Sequence, residues 1–259
     1  MKRNFWLPAL LLAAAARGAS ASDWRVSTSL NYESGTYGTG TRSSSLYVPV
    51  TVKRYWGDWY ASLTLPYVSQ TSDGSVSNVG GRPVKTRRGS APGGASTTRS
   101  GMGDVIARGG YTLMEQDPQG FDLDAVVKVK TPTASRSKGL GTGEFDLGAG
   151  LEFGILVAPG WTALADVYYT KIGDPPGTNL NNQLALDAGA SKELSDVLTV
   201  TGLLEGSNAL VTGESAPLDV RATLDYKVNA QVGAFAGLMI GLSKGSSDIG
   251  MSVGGSLRF

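Results

Sequence analysis

Charged side chains recur at every second position along this chain, and any chemistry would have to be built from them. Asp122, Asp124, Lys128 and Lys130 form one series, Glu144, Asp146 and Glu152 a second, and Asp219, Arg221 and Asp225 a third. Asp104 and Arg108 continue the pattern, as do Asp166 and Asp187, with Arg25 and Lys53 near the start. Paired carboxylates are the raw material of general acid–base catalysis. Here they are interleaved with Lys and Arg, and they read instead as an ion-pair and hydrogen-bond network. The chain has no His and no Cys, which removes Ser–His–Asp and Cys–His catalysis and most zinc sites. Gly101-x-Gly103 and Gly139-x-Gly141-x-Gly143 lie within or beside extended segments. A nucleotide loop would instead have to open a helix. The expectation is a protein that is not an enzyme and uses neither cofactor nor metal.

What positions these charges is a period of two. Trp24, Val26, Thr28, Leu30 and Tyr32 share one face, with Arg25, Ser27, Ser29 and Asn31 on the other. Phe121, Leu123, Ala125, Val127 and Val129 oppose Asp122, Asp124, Lys128 and Lys130. About twelve such segments follow one another, each near the ~10 residues that a tilted membrane strand needs. No mature segment carries the ~18 consecutive apolar residues of a spanning helix. The connections alternate in length. Trp56-Gly57, Ala158-Pro159-Gly160, Ser195 and Asn229 mark short ones, whereas 34–40, 71–99, 132–142, 173–181 and 209–216 are long. Only the last, around Gly245-Ser246, is short for its class. Trp24, Trp59, Phe121, Trp161, Tyr226 and Phe259 fall near one end of the segments, and Tyr32, Tyr67, Phe145 and Tyr169 near the other. Two aromatic belts of this kind mark membrane interfaces. The predicted fold is all-β, a transmembrane antiparallel up-and-down barrel of about twelve strands.

The N-terminus adds a compartment. Lys2 and Arg3 precede an apolar run from Phe5 to Ala16, and Gly18-Ala19-Ser20-Ala21 offers a cleavage site. This is the order of a secretory signal peptide, and the apolar run is too short to span a bilayer. The expected division is a cleaved signal over 1–21 and a barrel over 22–259. The absence of Cys suits an oxidising envelope. Without its signal the chain is close to neutral, which gives no support for nucleic-acid binding. The last residue, Phe259, follows alternating apolar positions, as in clients of the barrel-assembly machinery.

Two stretches carry a resemblance. Ser100-Gly101-Met102-Gly103-Asp104-Val105, with Tyr111-Thr112-Leu113, is one. Lys128-Val129-Lys130-Thr131-Pro132-Thr133 followed by Gly141-Thr142-Gly143-Glu144-Phe145-Asp146 is the other. Together they resemble the outer-membrane transporter family named for the meta-pathway of phenol degradation. That resemblance implies uptake of small, often aromatic or hydrophobic molecules, and it fixes no substrate.

The faces turned inward carry the candidate residues. The charge network comprises Asp104, Arg108, Asp122, Asp124, Lys128, Lys130, Glu144, Asp146, Glu152, Asp166, Asp187, Asp219, Arg221 and Asp225. It either braces the barrel or lines a narrow polar path, where the excess of acid would favour cations. Tyr47, Val68, Met102, Ile106, Tyr168, Leu203, Phe235 and Met239 are apolar and predicted to point inward. They either pack against an inward-folded loop or form a greasy pocket for a hydrophobic ligand. Pro49 and Pro66 fall on neighbouring strands with no sheet edge to accommodate them. Each reads as a bulge or as a weakened wall that allows lateral exit into the membrane. Residues 71–99 carry Arg82, Lys85, Arg87, Arg88 and Arg99 against Asp73 alone. They are expected to stay solvated, to fold into the mouth or to meet lipopolysaccharide phosphates.

The functional expectation is a monomer in the outer membrane of a Gram-negative bacterium, exported through the periplasm, that admits a small hydrophobic or aromatic substrate. Its other expected partners are membrane lipid, lipopolysaccharide and the barrel-assembly machinery. A polar-solute or ion-conducting porin and a non-transporting structural or surface-recognition barrel stay open beside it.

Overall fold

A strand with one apolar and one polar face needs an apolar medium on one side only. A ring of such strands supplies this with no edge left over. The computed structural model describes residues 24–87, 95–115 and 120–259; the expected signal peptide lies outside them. Its strands in order are β1 (Trp24–Gly35), β2 (Ser43–Trp56), β3 (Trp59–Ser72), β4 (Val76–Val79), β5 (Arg82–Lys85), β6 (Thr97–Met102), β7 (Ile106–Met114) and β8 (Phe121–Lys130). There follow β9 (Asp146–Ala158), β10 (Trp161–Lys171), β11 (Gln183–Ser195), β12 (Leu198–Ser207), β13 (Leu218–Lys227), β14 (Val232–Gly241) and β15 (Ile249–Arg258). Strands β4 and β5 pair only with each other. Strands β6 and β7 both pair with β3 and are two halves of one stave. The wall therefore has twelve antiparallel staves, closed where β1 pairs with β15. At the seam the Trp24 N–H donates to the Phe259 carbonyl at 3.1 Å, and the Phe259 N–H returns a bond to Trp24 at 3.0 Å.

The outer surface is apolar. Leu30, Val127, Leu186, Leu238 and Val253 are all more than half exposed, and Ile240 reaches 60%. An apolar surface of this extent is stable only against lipid. No helix among the described residues is long and apolar enough to cross a membrane. Aromatic pairs reinforce the belts: Trp59 and Tyr111 have ring centroids 4.5 Å apart, and Phe121 and Phe153 5.2 Å. Trp24 and Phe259 lie at the end of the short turns, which barrels of this class place in the periplasm. The last long-class connection, 242–248, equals the first, 36–42, in length; the expectation that it is short was wrong.

The inner wall is kept thin by glycine. Tyr60 faces inward directly opposite Gly110, and Tyr168 directly opposite Gly150. Each ring lies flat on its glycine, where a methyl group would overlap it. Phe235 lies on Gly254 in the same manner. Large inward side chains thus cover backbone instead of crossing the lumen, and space remains along the axis.

One stave breaks the alternation. Along β6 the pairing runs Tyr67↔Met102, and the Gly103 N–H still donates to the Pro66 carbonyl at 2.8 Å. From β7 onward it runs Thr64↔Ile106, one residue out of step. Gly103 and Asp104 therefore share Pro66, which has no N–H to give, and the extra residue forms a bulge. Asp104 and Ile106 stay buried inside, but Met102 is turned outward and is 54% exposed. The inward placement expected for Met102 is corrected by this slip.

Overfilling the glycine side of a flattened ring should be costly. Gly110→Val is expected to destabilise the folded barrel by about 1–3 kcal/mol. Tyr60→Ala in the same chain should recover part of that loss. Urea unfolding in lipid vesicles measures both.

Candidate functional site: a plugged lumen with two charged rows

The 71–99 segment folds inward from Asp73 as a hairpin, one of the three courses expected for it. Gly80 and Gly81 both take positive φ, 61° and 98°, the conformation that a two-residue hairpin turn demands. Asn78 Oδ1 accepts from the Gly81 N–H at 3.1 Å, and Gln70 Nε2 ties the base to the Val76 carbonyl at 2.6 Å. Val79 and Val84 pack against Ile172, Leu180, Leu210 and Val211 from two other long connections. The tip carries Arg82 into the lumen. Its guanidinium donates to Asp219 at 2.7 Å and to Glu205 at 3.4 Å, and its Nη2 lies 3.2 Å from the Met239 sulfur. Arg221 holds the other side of Glu205, with Nε at 2.8 Å. Farther out Lys85 donates to Glu214 at 2.8 Å. Arg82 and Lys85 thus meet carboxylates of this chain. Residues 88–94 of the segment, including Arg88, lie outside the described residues.

Cross-strand register sorts the inward charges into two rows. On one side of the barrel Asp124 stands opposite Glu152, Glu152 opposite Asp166, Asp166 opposite Asp187, Asp187 opposite Glu205, and Glu205 opposite Asp219. On the other side Arg258 stands opposite Arg25, and Arg25 opposite Lys53. Lys53 is joined through Ser62 to Arg108, which stands opposite Lys128. Like charges directly opposite one another destabilise a sheet. Both rows therefore need compensation from across the lumen. The acidic row receives Arg82 and Arg221 at one end. Nearer β8, Arg108 donates to Glu152 at 3.0 Å, and the Tyr168 hydroxyl bonds the same carboxylate.

Lys130 is a separate construction. It is fully buried, and its ammonium donates to Asp104 at 3.0 Å, Thr142 at 2.9 Å and the Glu144 carbonyl at 3.0 Å, with Asp146 at 3.2 Å. Glu144 contributes its backbone here, not its carboxylate. The cluster staples β7, β8, β9 and the 131–145 connection together. Asp122 and Asp225 are buried nearer the turn end.

The apolar residues do not gather into one pocket. Val68 packs with Tyr47, Ala134 and Leu140, the last two from the inward-folded 131–145 connection. Tyr168 joins Tyr60 and Val126. Met239 is buried under two guanidinium groups, Phe235 covers its glycine, and Leu203 is half-buried opposite Arg221. The hairpin tip stands between two cavities. The larger has about 240 Å³ of free volume, and Tyr47, Pro49, Tyr60 and Ile106 line it. The smaller, about 140 Å³, is bordered by Tyr168, Asp187 and the hairpin flank. Tyr60 escaped the sequence reading, although its place next to the lipid-facing Trp59 in the alternating strand assigns it to the lumen.

The pattern of the chain fits a known family model over residues 30–259, the one described as putative MetA-pathway of phenol degradation. The chain belongs to that family. The match runs well beyond the two motif stretches, from the first stave to the last. No curated protein sequence matches the chain. Among solved structures it is similar to an outer-membrane channel from Pseudomonas putida F1, with a TM-score of 0.69 at 11% identity over 93% of this chain and 97% of that one. It is also similar to the NanC porin, TM-score 0.58 at 11% identity over 90% and 100% of the two chains. The β domain of the Bordetella autotransporter BrkA gives 0.54 at 15% identity over 93% and 100%. At such identities the likeness shows the fold alone, and a fold shared by channels and autotransporters leaves function to the lumen.

Removing the cation from the buried staple isolates two carboxylates. Lys130→Met is expected to cost about 3–5 kcal/mol, read as a loss of unfolding free energy in vesicles. Lys85→Met, at the mouth, should cost far less.

Proposed function

We propose that this chain is a monomeric outer-membrane channel that admits small hydrophobic or aromatic molecules, and that it is not an enzyme. The observation that carries the reading is the larger cavity. It lies within the barrel below an inserted hairpin, and Tyr47, Pro49, Tyr60 and Ile106 give it an apolar face among hydroxyl and cationic side chains. A sealing barrel has no need of such a space, and a wide aqueous pore has no need of its apolar lining. Membership in a family described by phenol degradation supports the class of cargo, and the similar Pseudomonas putida protein is an outer-membrane channel. Export through the periplasm, insertion by the barrel-assembly machinery and contact with lipopolysaccharide belong to the same reading.

The hairpin is the gate on the axis. Arg82 holds it against Glu205 and Asp219, and every solute entering from outside must pass its tip. A second route runs through the wall. Pro49 stands directly opposite Pro66. The β1–β2 ladder lapses between Thr28↔Val50 and Asn31↔Tyr47, beside Pro49, and the β3–β7 bulge lies beside Pro66. Both missing N–H groups thus face the outer flanks of the β2–β3 pair, where opening would release a hydrophobic molecule into the bilayer.

A pore for polar solutes is the second reading, favoured by the charged rows. Planar-bilayer conductance of the refolded chain separates the two. The channel proposed here gives little steady current until the hairpin is released, and Arg82→Ala should raise conductance several-fold. A steady ohmic current from the unaltered chain would overturn the gated reading in favour of the porin. For the wall route, Pro49→Val with Pro66→Val should slow uptake of a hydrophobic aromatic into vesicles, and unchanged uptake would remove that route.

A further inference from the structure

The two charged rows are compensated unequally. The acidic row has a guanidinium delivered to it by the hairpin. In the basic row Arg108 donates to Glu152, but the two lysines have no such partner among the described residues. Lys53 is more than nine-tenths buried, yet its ammonium has no hydrogen bond and no carboxylate within 4 Å among the described residues. It rests on aromatic faces, 3.5 Å from the Tyr60 ring centroid and 4.8 Å from that of Tyr55. A ring face attracts a cation but carries no net charge to neutralise it. Lys128 likewise has no ion pair, and its ammonium lies beside Gly80 at the hairpin tip. Both lysines line the larger cavity, with Arg25 and Arg108. The cavity lining includes one carboxylate, Glu33, on which Ser247 already places a hydroxyl at 3.2 Å. Tyr47, Tyr60 and Ile106 line the same cavity.

An excess of desolvated positive charge around an apolar space recognises one kind of molecule. We infer that the larger cavity binds a small organic carboxylate, a single-ring aromatic acid or a short-chain aliphatic one, with its carboxylate between Lys53 and Lys128 and its apolar body on Tyr47, Tyr60 and Ile106. The size limit follows from the volume, since pockets for drug-sized ligands hold ~300–1,000 Å³. None of the six carboxylates of the acidic row lines this cavity, and Glu205 and Asp219 are already engaged by Arg82 and Arg221. The inference rests on the channel reading only in treating the bound acid as cargo.

The test is isothermal titration of the folded full-length barrel, in a neutral detergent, with benzoate, benzyl alcohol and benzylamine. Benzoate should bind at least tenfold more tightly than either of the others. K53M/K128M should weaken benzoate at least tenfold while leaving benzyl alcohol unchanged, and Lys85→Met should change neither. Equal binding of the three compounds, or full benzoate affinity in K53M/K128M, overturns the site. If the double variant does not fold, as judged by heat-dependent gel mobility, Lys128→Gln alone and the salt dependence of benzoate binding in the native chain decide. Full affinity in the single variant, or affinity insensitive to potassium chloride, overturns it as well. Uptake into vesicles separates this inference from the proposed function. Benzoate bound by a barrel that passes no aromatic compound rejects the channel and keeps the site. Passage of benzyl alcohol with no preference for benzoate in binding rejects the site and keeps the channel.

Discussion

The interaction on which this lumen depends is the contact of Arg82 with Glu205 and Asp219. Six carboxylates standing opposite one another across adjacent staves repel. One guanidinium carried in on a hairpin relieves the repulsion where Glu205 and Asp219 meet. It also fixes the hairpin, and the hairpin divides the interior into an outer and an inner cavity. Charge balance and occlusion are therefore the same structural event. The elements that look most dispensable in the sequence, a Gly- and Ser-rich connection and its turn, hold the arrangement in place.

The wall makes the event possible by staying thin. Inward aromatic rings are laid over glycine on the neighbouring stave, so the staves spend little of the interior on their own packing. The buried Lys130 cluster does the complementary work at the mouth, gathering three staves and a long connection around one ammonium. The barrel is thus rigid where its backbone turns and open where a molecule could lie. The outer surface carries none of this information. It is apolar and belted with aromatic rings, as any barrel in lipid must be.

Much of this was legible in the sequence, and the limits have a physical origin. Alternation reveals which face a side chain takes, and the charged and apolar inward positions were read from it. It does not reveal which residue stands opposite. Glu152, Asp166 and Asp187 were each recognised as inward, but their succession across neighbouring staves depends on register. Met102 was lost to the same cause. Its own stretch alternates faultlessly, and only the pairing with Pro66 shows that Gly103 and Asp104 occupy one place. The hairpin was hidden differently. Val79-Gly80-Gly81-Arg82 is a recognisable turn flanked by Val, yet the surrounding Gly and Ser gave the composition of a solvated loop. The contacts that fold it inward come from Leu180, Leu210 and Asp219, more than ninety residues away in the chain.

A plug tethered at both ends differs from a plug that binds from solution. Arg82 never leaves the neighbourhood of its acids, so it competes for them at a local concentration set by chain length, of millimolar order for short flexible tethers. That concentration does not change with the abundance of the protein or with dilution outside the cell. A soluble cation must match it to dislodge the hairpin, whereas a molecule that the acids do not recognise is under no such requirement. The barrel therefore carries a built-in threshold, and the threshold is written in the length of one connection.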